Sequence, residues 1–220
     1  MNKVQPLNAA ELNCVRALLD QSGLAYAVIG GRYEDAGSRW QLQQDALYGP
    51  DIDILFLQPK RYVDEMLAKL GWVQQQSGGF YYYSATQAMR CHIDVYYSYI
   101  SYGWIKIFKP DKQRLSNNYI GEEDYLLYQL IEPLLKFGAY QPRHLERIRC
   151  YRADKKLDHA YVRRRQRAIC FPCSFLLSKA YQHEGQLTAS QYRMLKLSLI
   201  LKPRNMIRYI RYRFSGLLFR

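Results

Sequence analysis

The chain contains no run of about eighteen consecutive apolar residues, so nothing in it reads as a membrane-spanning helix. It also lacks an even set of cysteines: Cys14, Cys91, Cys150, Cys170 and Cys173 are five, which argues against a complete disulfide framework and for reduced thiols. Cys170-Phe171-Pro172-Cys173 has the spacing of a metal-binding pair, but there is no second CxxC, and a zinc site is not expected. The opening MNKVQPLNAAELNCV has no apolar core of the signal-peptide kind, which makes the cytoplasm the expected location. No repeat of fixed period and no low-complexity tract occurs, so neither a solenoid nor a flexible linker is indicated.

Acidic residues are scarce: 19 Asp and Glu stand against 32 Lys and Arg in 220 residues, a formal charge of +13. The deficit is not spread evenly. Residues 1–110 hold ten basic and ten acidic side chains, whereas residues 111–220 hold twenty-two and nine, so the whole excess lies in the second half. Two modules with different surfaces are expected, 1–110 and 111–220, the second facing an anionic partner. What is abundant is apolar character, 49% of the chain, enough for a substantial core.

The pattern of elements separates the same halves. Asn8 and Glu11 have capping-box spacing, and Leu12, Val15, Leu18 and Leu19 recur at helical intervals until Gly23. Leu24 to Ile29 is a short apolar run ending in Gly30-Gly31, a buried strand that enters a tight turn. Residues 32–49 are polar and weakly patterned, with a candidate helix over 40–47. Asp51-Ile52-Asp53-Ile54-Leu55-Phe56-Leu57 alternates acid and aliphatic before becoming wholly apolar, as a strand with one functional end would. Pro59 opens a helix through Leu70; Val73 to Gln76, Gly79 to Ser84, Arg90 to Tyr97 and Trp104 to Phe108 read as further strands. From Glu122 onward helical stripes dominate. The expected fold class is therefore α/β (α+β) in the first half, followed by a basic all-α half.

Two acids at positions i and i+2 of one strand project from one face, about 6 to 7 Å apart, which suits a shared site for divalent cations. Asp51 and Asp53 meet that condition, with Ile52 on the opposite, core side. Asp94, within Arg90-Cys91-His92-Ile93-Asp94-Val95-Tyr96-Tyr97, supplies a third carboxylate from a later strand. Two-metal phosphoryl chemistry needs such a platform. Three carboxylates repel one another without a cation, so metal should stabilise the fold. A glycine pair after a strand exposes backbone N–H groups to phosphate; Gly30 and Gly31 fit that need, and Arg32 follows to neutralise charge.

In this order the parts VIGG, PDIDILF and HIDVY resemble the DNA polymerase β-like nucleotidyltransferase superfamily, and more narrowly the nucleotidyltransferases of bacterial surface-polysaccharide gene clusters. Gly121-Glu122-Glu123-Asp124-Tyr125-Leu126-Leu127 is similar to the acidic-Asp-leucine helix that follows in that narrower group. The likeness covers roughly residues 10–135. The interval from Gly31 to Asp51 is longer than usual there, which leaves room for an inserted helix. The resemblance implies a nucleotidyltransferase-type mixed sheet with flanking helices. It further implies Asp51 and Asp53 holding magnesium or manganese, and Asp94 completing the metal site and taking the acceptor's proton. Gly30, Gly31 and Arg32 would cradle the triphosphate, expected to be ATP. It thereby implies transfer of a nucleoside monophosphate to a small-molecule or glycan-precursor acceptor. Transfer to RNA and a catalytically inactive nucleotide-binding or scaffold protein are the alternatives.

Residues 202–220, KPRNMIRYIRYRFSGLLFR, interleave basic with apolar side chains. Such a stretch reads either as a helix at the inner surface of the cell membrane or as one packed on the protein itself. Arg163-Arg164-Arg165-Gln166-Arg167 reads as a solvated helix face, His92 as a strand residue beside the acids, and the other histidines as surface groups.

Overall fold

The computed structural model of the chain describes residues 9–29, 51–77, 80–85, 92–115, 118–154, 156–182 and 187–218. It is a mixed α+β protein that divides into two compact units, Met1–Ser98 with Leu115–Ile120, and Tyr99–Arg114 with Gly121–Arg220. The segment Tyr99–Arg114, most of which the charge and pattern reading groups with the first half, clusters with the second unit.

The first unit begins with α1 (Ala9–Gln21), which ends where Gly23 takes a left-handed φ of 67°. Five strands follow: β1 (Tyr26–Val28), β2 (Asp51–Phe56), β3 (Trp72–Ser77), β4 (Phe80–Ala85) and β5 (His92–Tyr97), with α2 (Lys60–Lys69) after β2. They form one sheet in the order β1-β2-β5-β4-β3. β1 runs antiparallel to β2, β2 parallel to β5, and β4 antiparallel to both of its neighbours, β5 and β3. The helix and strand periodicities explain the core. Ile54 and Phe56 on β2 and Ile93 on β5 present the face that Val15 and Leu19 of α1 and Val63 and Leu67 of α2 cover. On β5 that same face carries Tyr97, whose hydroxyl donates to Asp64 of α2 at 2.7 Å. The outer edge of β1 is closed by residues 118–120: Val28 N–H donates to Asn118 O at 2.7 Å and Ile120 N–H to Val28 O at 3.3 Å. Unpaired strand edges invite foreign pairing, and this segment removes one.

The second unit opens with a hairpin, β6 (Ile100–Tyr102) and β7 (Ile105–Phe108), and a 3-10 turn at Lys112–Arg114. Among the described residues six helices complete it: α3 (Glu122–Phe137), α4 (Pro142–Ala153), α5 (His159–Cys170), α6 (Phe175–Gln182), α7 (Ala189–Ile200) and α8 (Pro203–Leu218). α3 is its axis, apolar on nearly every side, and α4, α5 and α7 pack around it. A helix apolar all round must be buried all round. Among the described residues no helix is long and apolar enough to cross a membrane. The candidate helix over 40–47 lies outside the described residues.

Candidate functional site

β2 is a strand because Ile54, Leu55 and Phe56 are all buried, the first and last against the helices and Leu55 on the opposite face. Its apolar end anchors it, and its acidic end is held by pairing on both sides. Position 51 is in register with His92, Ile52 with Ile93, and Asp53 with Asp94 on β5. Neighbouring strands lie about 4.8 Å apart, and in-register residues of a parallel pair share a face, so Asp53 and Asp94 stand side by side. The side chain at position 51, two residues before Asp53, lies outside the described ones. The register thus brings two of the three expected acids, Asp53 and Asp94, together on adjacent strands of one sheet.

A direct contact marks the face. The Tyr96 hydroxyl donates to Asp53 Oδ1 at 3.3 Å, and Tyr96 is two residues beyond Asp94 on β5. Asp53, Asp94 and Tyr96 are all half-buried, covered enough to be held and open enough to be reached. The sequence pattern did not single out Tyr96. Its signal, an aromatic with a hydroxyl at i+2 from an isolated strand acid, is visible only once β5 is known to neighbour β2.

On the other flank, Ile29 N–H donates to Asp53 O at 2.8 Å. The chain therefore leaves β1 alongside Asp53, one residue before Gly30. Gly30, Gly31 and Arg32 themselves lie outside the described residues. Among the described side chains no group of three or more His, Cys, Asp or Glu stands together as a metal set; the acid pair Asp53 and Asp94 needs the side chain at position 51 to become a triad.

Other candidate positions resolve into structural roles. Asp124, in the acidic-Asp-leucine helix, is fully buried in the second unit. Its carboxylate accepts from Asp111 N–H at 2.6 Å and from the Tyr161 hydroxyl at 3.0 Å, with Arg165 Nη2 at 3.8 Å. Burial pushes its carboxyl above the usual range, an effect that the Asp111 N–H and the Arg165 charge oppose. Beside it Arg114 bridges Glu123 at 3.0 Å and Asp158 at 3.1 Å and lies over the Tyr161 ring at 4.0 Å. Arg165 departs from its expected solvated place: it is half-buried, donates to Lys109 O and lies over the Phe108 ring. Cys170 and Cys173 are buried, and burial pushes the Cys170 thiol up to about 12. His144 is not a surface group. It is buried, its Nδ1 accepts from Gln141 N–H at 3.2 Å, and it closes the N-terminal cap of α4.

No family model, curated protein or solved structure matches the chain.

Proposed function

We propose that the first unit is a metal-dependent nucleotidyltransferase domain of the DNA polymerase β-like type, acting on a small-molecule or glycan-precursor acceptor. The observation that carries this reading is the register of β2 against β5, which sets Asp53 beside Asp94 two residues from Asp51. The donor chemistry fits: carboxylate oxygens on adjacent strands suit hard divalent cations such as magnesium and manganese. Asp51, Asp53 and Asp94 would hold the metal, which when bound supplies charge neutralisation at the phosphates and lowers the pKa of an attacking hydroxyl.

The protein's own groups then divide the work. Asp94 accepts the proton of the acceptor hydroxyl. Tyr96 holds one oxygen of Asp53 and so limits the rotamers of that carboxylate before substrate arrives. The buried end of β2, Ile54 to Phe56, and the buried Ile93 of β5 keep the acids on a rigid base, which positioning for in-line attack demands. Gly30 and Gly31, one residue beyond the Ile29 to Asp53 hydrogen bond, donate backbone N–H groups to the departing phosphates, and Arg32 offsets their charge. Transfer to RNA draws its support from the basic second half, twenty-two Lys and Arg against nine acids over 111–220.

Manganese titration tests the site. Wild type should bind the ion, and Asp53→Asn with Asp94→Asn should weaken binding by at least the roughly 10–100-fold that even outer-shell losses produce, with the circular dichroism spectrum unchanged. Undiminished affinity in a folded double variant would sink the assignment. A thermal-shift screen of the four nucleoside triphosphates with manganese, then mass spectrometry of products with sugar phosphates and with RNA, distinguishes the acceptors.

A further inference from the structure

Over residues 203–211, helix α8 turns Arg204, Asn205 and Arg208 toward the unit and leaves Met206, Ile207 and Ile210 exposed. Asn205 is fully buried, and its side chain accepts from Lys106 N–H at 2.9 Å and donates to Lys106 O at 3.0 Å and Leu199 O at 2.7 Å. Arg204 Nη2 donates to Ile107 O at 2.6 Å, and Tyr209 packs on Trp104 with ring centroids 5.2 Å apart. Arg208 sits on this inner side too, where burial lowers the pKa of its guanidinium. These contacts fasten α8 to the β6–β7 hairpin. The opposite side carries Met206, Ile207 and Ile210, at i, i+1 and i+4, while α7 exposes Met194, Leu197 and Leu201 at i, i+3 and i+7 just before it. All six are between 42% and 61% exposed. Helices that fold against a core place such residues inward, whereas these six lie outside the unit's own core.

Charge discriminates among the partners such a surface would suit. Residues 159–220 contain thirteen Lys and Arg and one acid, Glu184. Arg193 and Arg211 are exposed beside the apolar stripes, on α7 and α8. A second copy of the chain would bring the same positive field to meet it, which opposes self-association. RNA takes its affinity from phosphate contacts and from stacking on aromatic faces, whereas the stripes here are aliphatic and methionine. An acidic lipid surface satisfies both features at once, since aliphatic side chains enter the acyl boundary while flanking arginines meet the headgroups.

We propose that the α7–α8 face of the second unit docks on the surface of an anionic phospholipid bilayer, lying in the interface without crossing it. This surface is independent of the nucleotidyl-transfer reading. The test is flotation of the full chain with phosphatidylcholine vesicles, with and without about 30 mol % phosphatidylglycerol, at about 0.05 M and about 0.5 M salt. The comparison variant carries Leu197→Gln, Leu201→Gln, Ile207→Gln and Ile210→Gln, all at exposed positions, with folding checked by circular dichroism. Expected is binding to the anionic vesicles alone, reduced by salt, and weakened at least about tenfold in the variant. Should the quadruple variant disrupt folding, the pair Leu201→Gln and Ile207→Gln is read instead, with a smaller loss in the same direction. Three results overturn the proposal: no flotation of wild type at low salt; flotation undiminished in a folded variant, which would be bulk electrostatic adsorption; or a concentration-dependent dimer or an RNA complex that the variant loses while vesicle binding persists.

Discussion

Single side chains in this protein do work that their types do not announce. Asn205 is the smallest group that can answer both Lys106 N–H and two carbonyls from one buried position, and so it ties α8 to the hairpin where an aliphatic residue would leave those backbone groups unpaired. His144 carries a titration. Burial, then the charges of Arg143, Arg147 and Lys136, push its imidazole from 6.5 down to about 4. An unfolded chain therefore binds a proton near 6.5 that the folded chain takes up only near 4, so between these values the unfolded state holds more protons and stability rises with pH. The contribution is complete above the unfolded value and drains away on acidification toward 4. His144→Gln keeps an acceptor for Gln141 N–H but does not titrate. Between neutral pH and about pH 4.5, wild type should lose on the order of 1–3 kcal/mol more than this variant in urea denaturation. Equal losses in both would mean that His144 takes no part in acid sensitivity.

At the level of elements, the strands and helices obey their local signals where those signals are long. β2 follows from Asp51-Ile52-Asp53-Ile54-Leu55-Phe56, and α3 from its stripe of Leu, Ile and Tyr even with Pro133 inside it. β6 escaped the reading because Ile100-Ser101-Tyr102 is too short to show alternation, and α6 because Phe175–Gln182 directly follows the Cys-Phe-Pro-Cys turn. The end of α3 is fixed by a single residue. Gly138 has φ 72°, and its N–H donates to Leu134 O at 3.0 Å. An added Cβ would lie 3.6 Å from the Tyr192 ring, ordinary contact, so the cost of substitution is conformational. Gly138→Ala should destabilise the protein by about 1 kcal/mol, and Gly138→Asn by less, since asparagine tolerates the left-handed region better than alanine. Chemical denaturation midpoints of the three proteins give that order directly.

Considered whole, the molecule keeps its two chemistries in separate units: the acids on β2 and β5 belong to the first, and the basic, apolar face of α7 and α8 to the second. If Asp51, Asp53 and Asp94 take up a divalent ion, linkage requires the folded state to gain about 2.7 kcal/mol when the ion stands at a hundredfold its dissociation constant. Manganese should therefore raise the melting temperature of wild type and leave that of Asp53→Asn with Asp94→Asn unchanged. Hydrogen exchange should place the added protection on β2 and β5 more than on α3 to α7. Equal protection of both units would argue that the ion binds elsewhere.

Amino-acid order alone determined which residues share a strand or a helix face, because the periods of 2 and 3.6 are properties of the backbone. It accordingly marked Asp51 and Asp53 as one pair, Asp94 as a lone strand acid, and residues 202–220 as amphipathic. It could not say what each face meets. That Asp53 stands beside Asp94, with Tyr96 reaching across, depends on β2 pairing parallel with β5 across the intervening residues 57–91, a register set by the burial of Ile54, Phe56 and Ile93 together. That Asp124 is buried rather than exposed depends on Tyr161 and Arg165 arriving from α5. That α8 turns Arg204, Arg208 and Asn205 inward depends on the open carbonyls of the β6–β7 hairpin, which outbid the core for that side of the helix. Periodicity is local, whereas the partner of a face is chosen by packing over the whole unit, and only folding makes that choice.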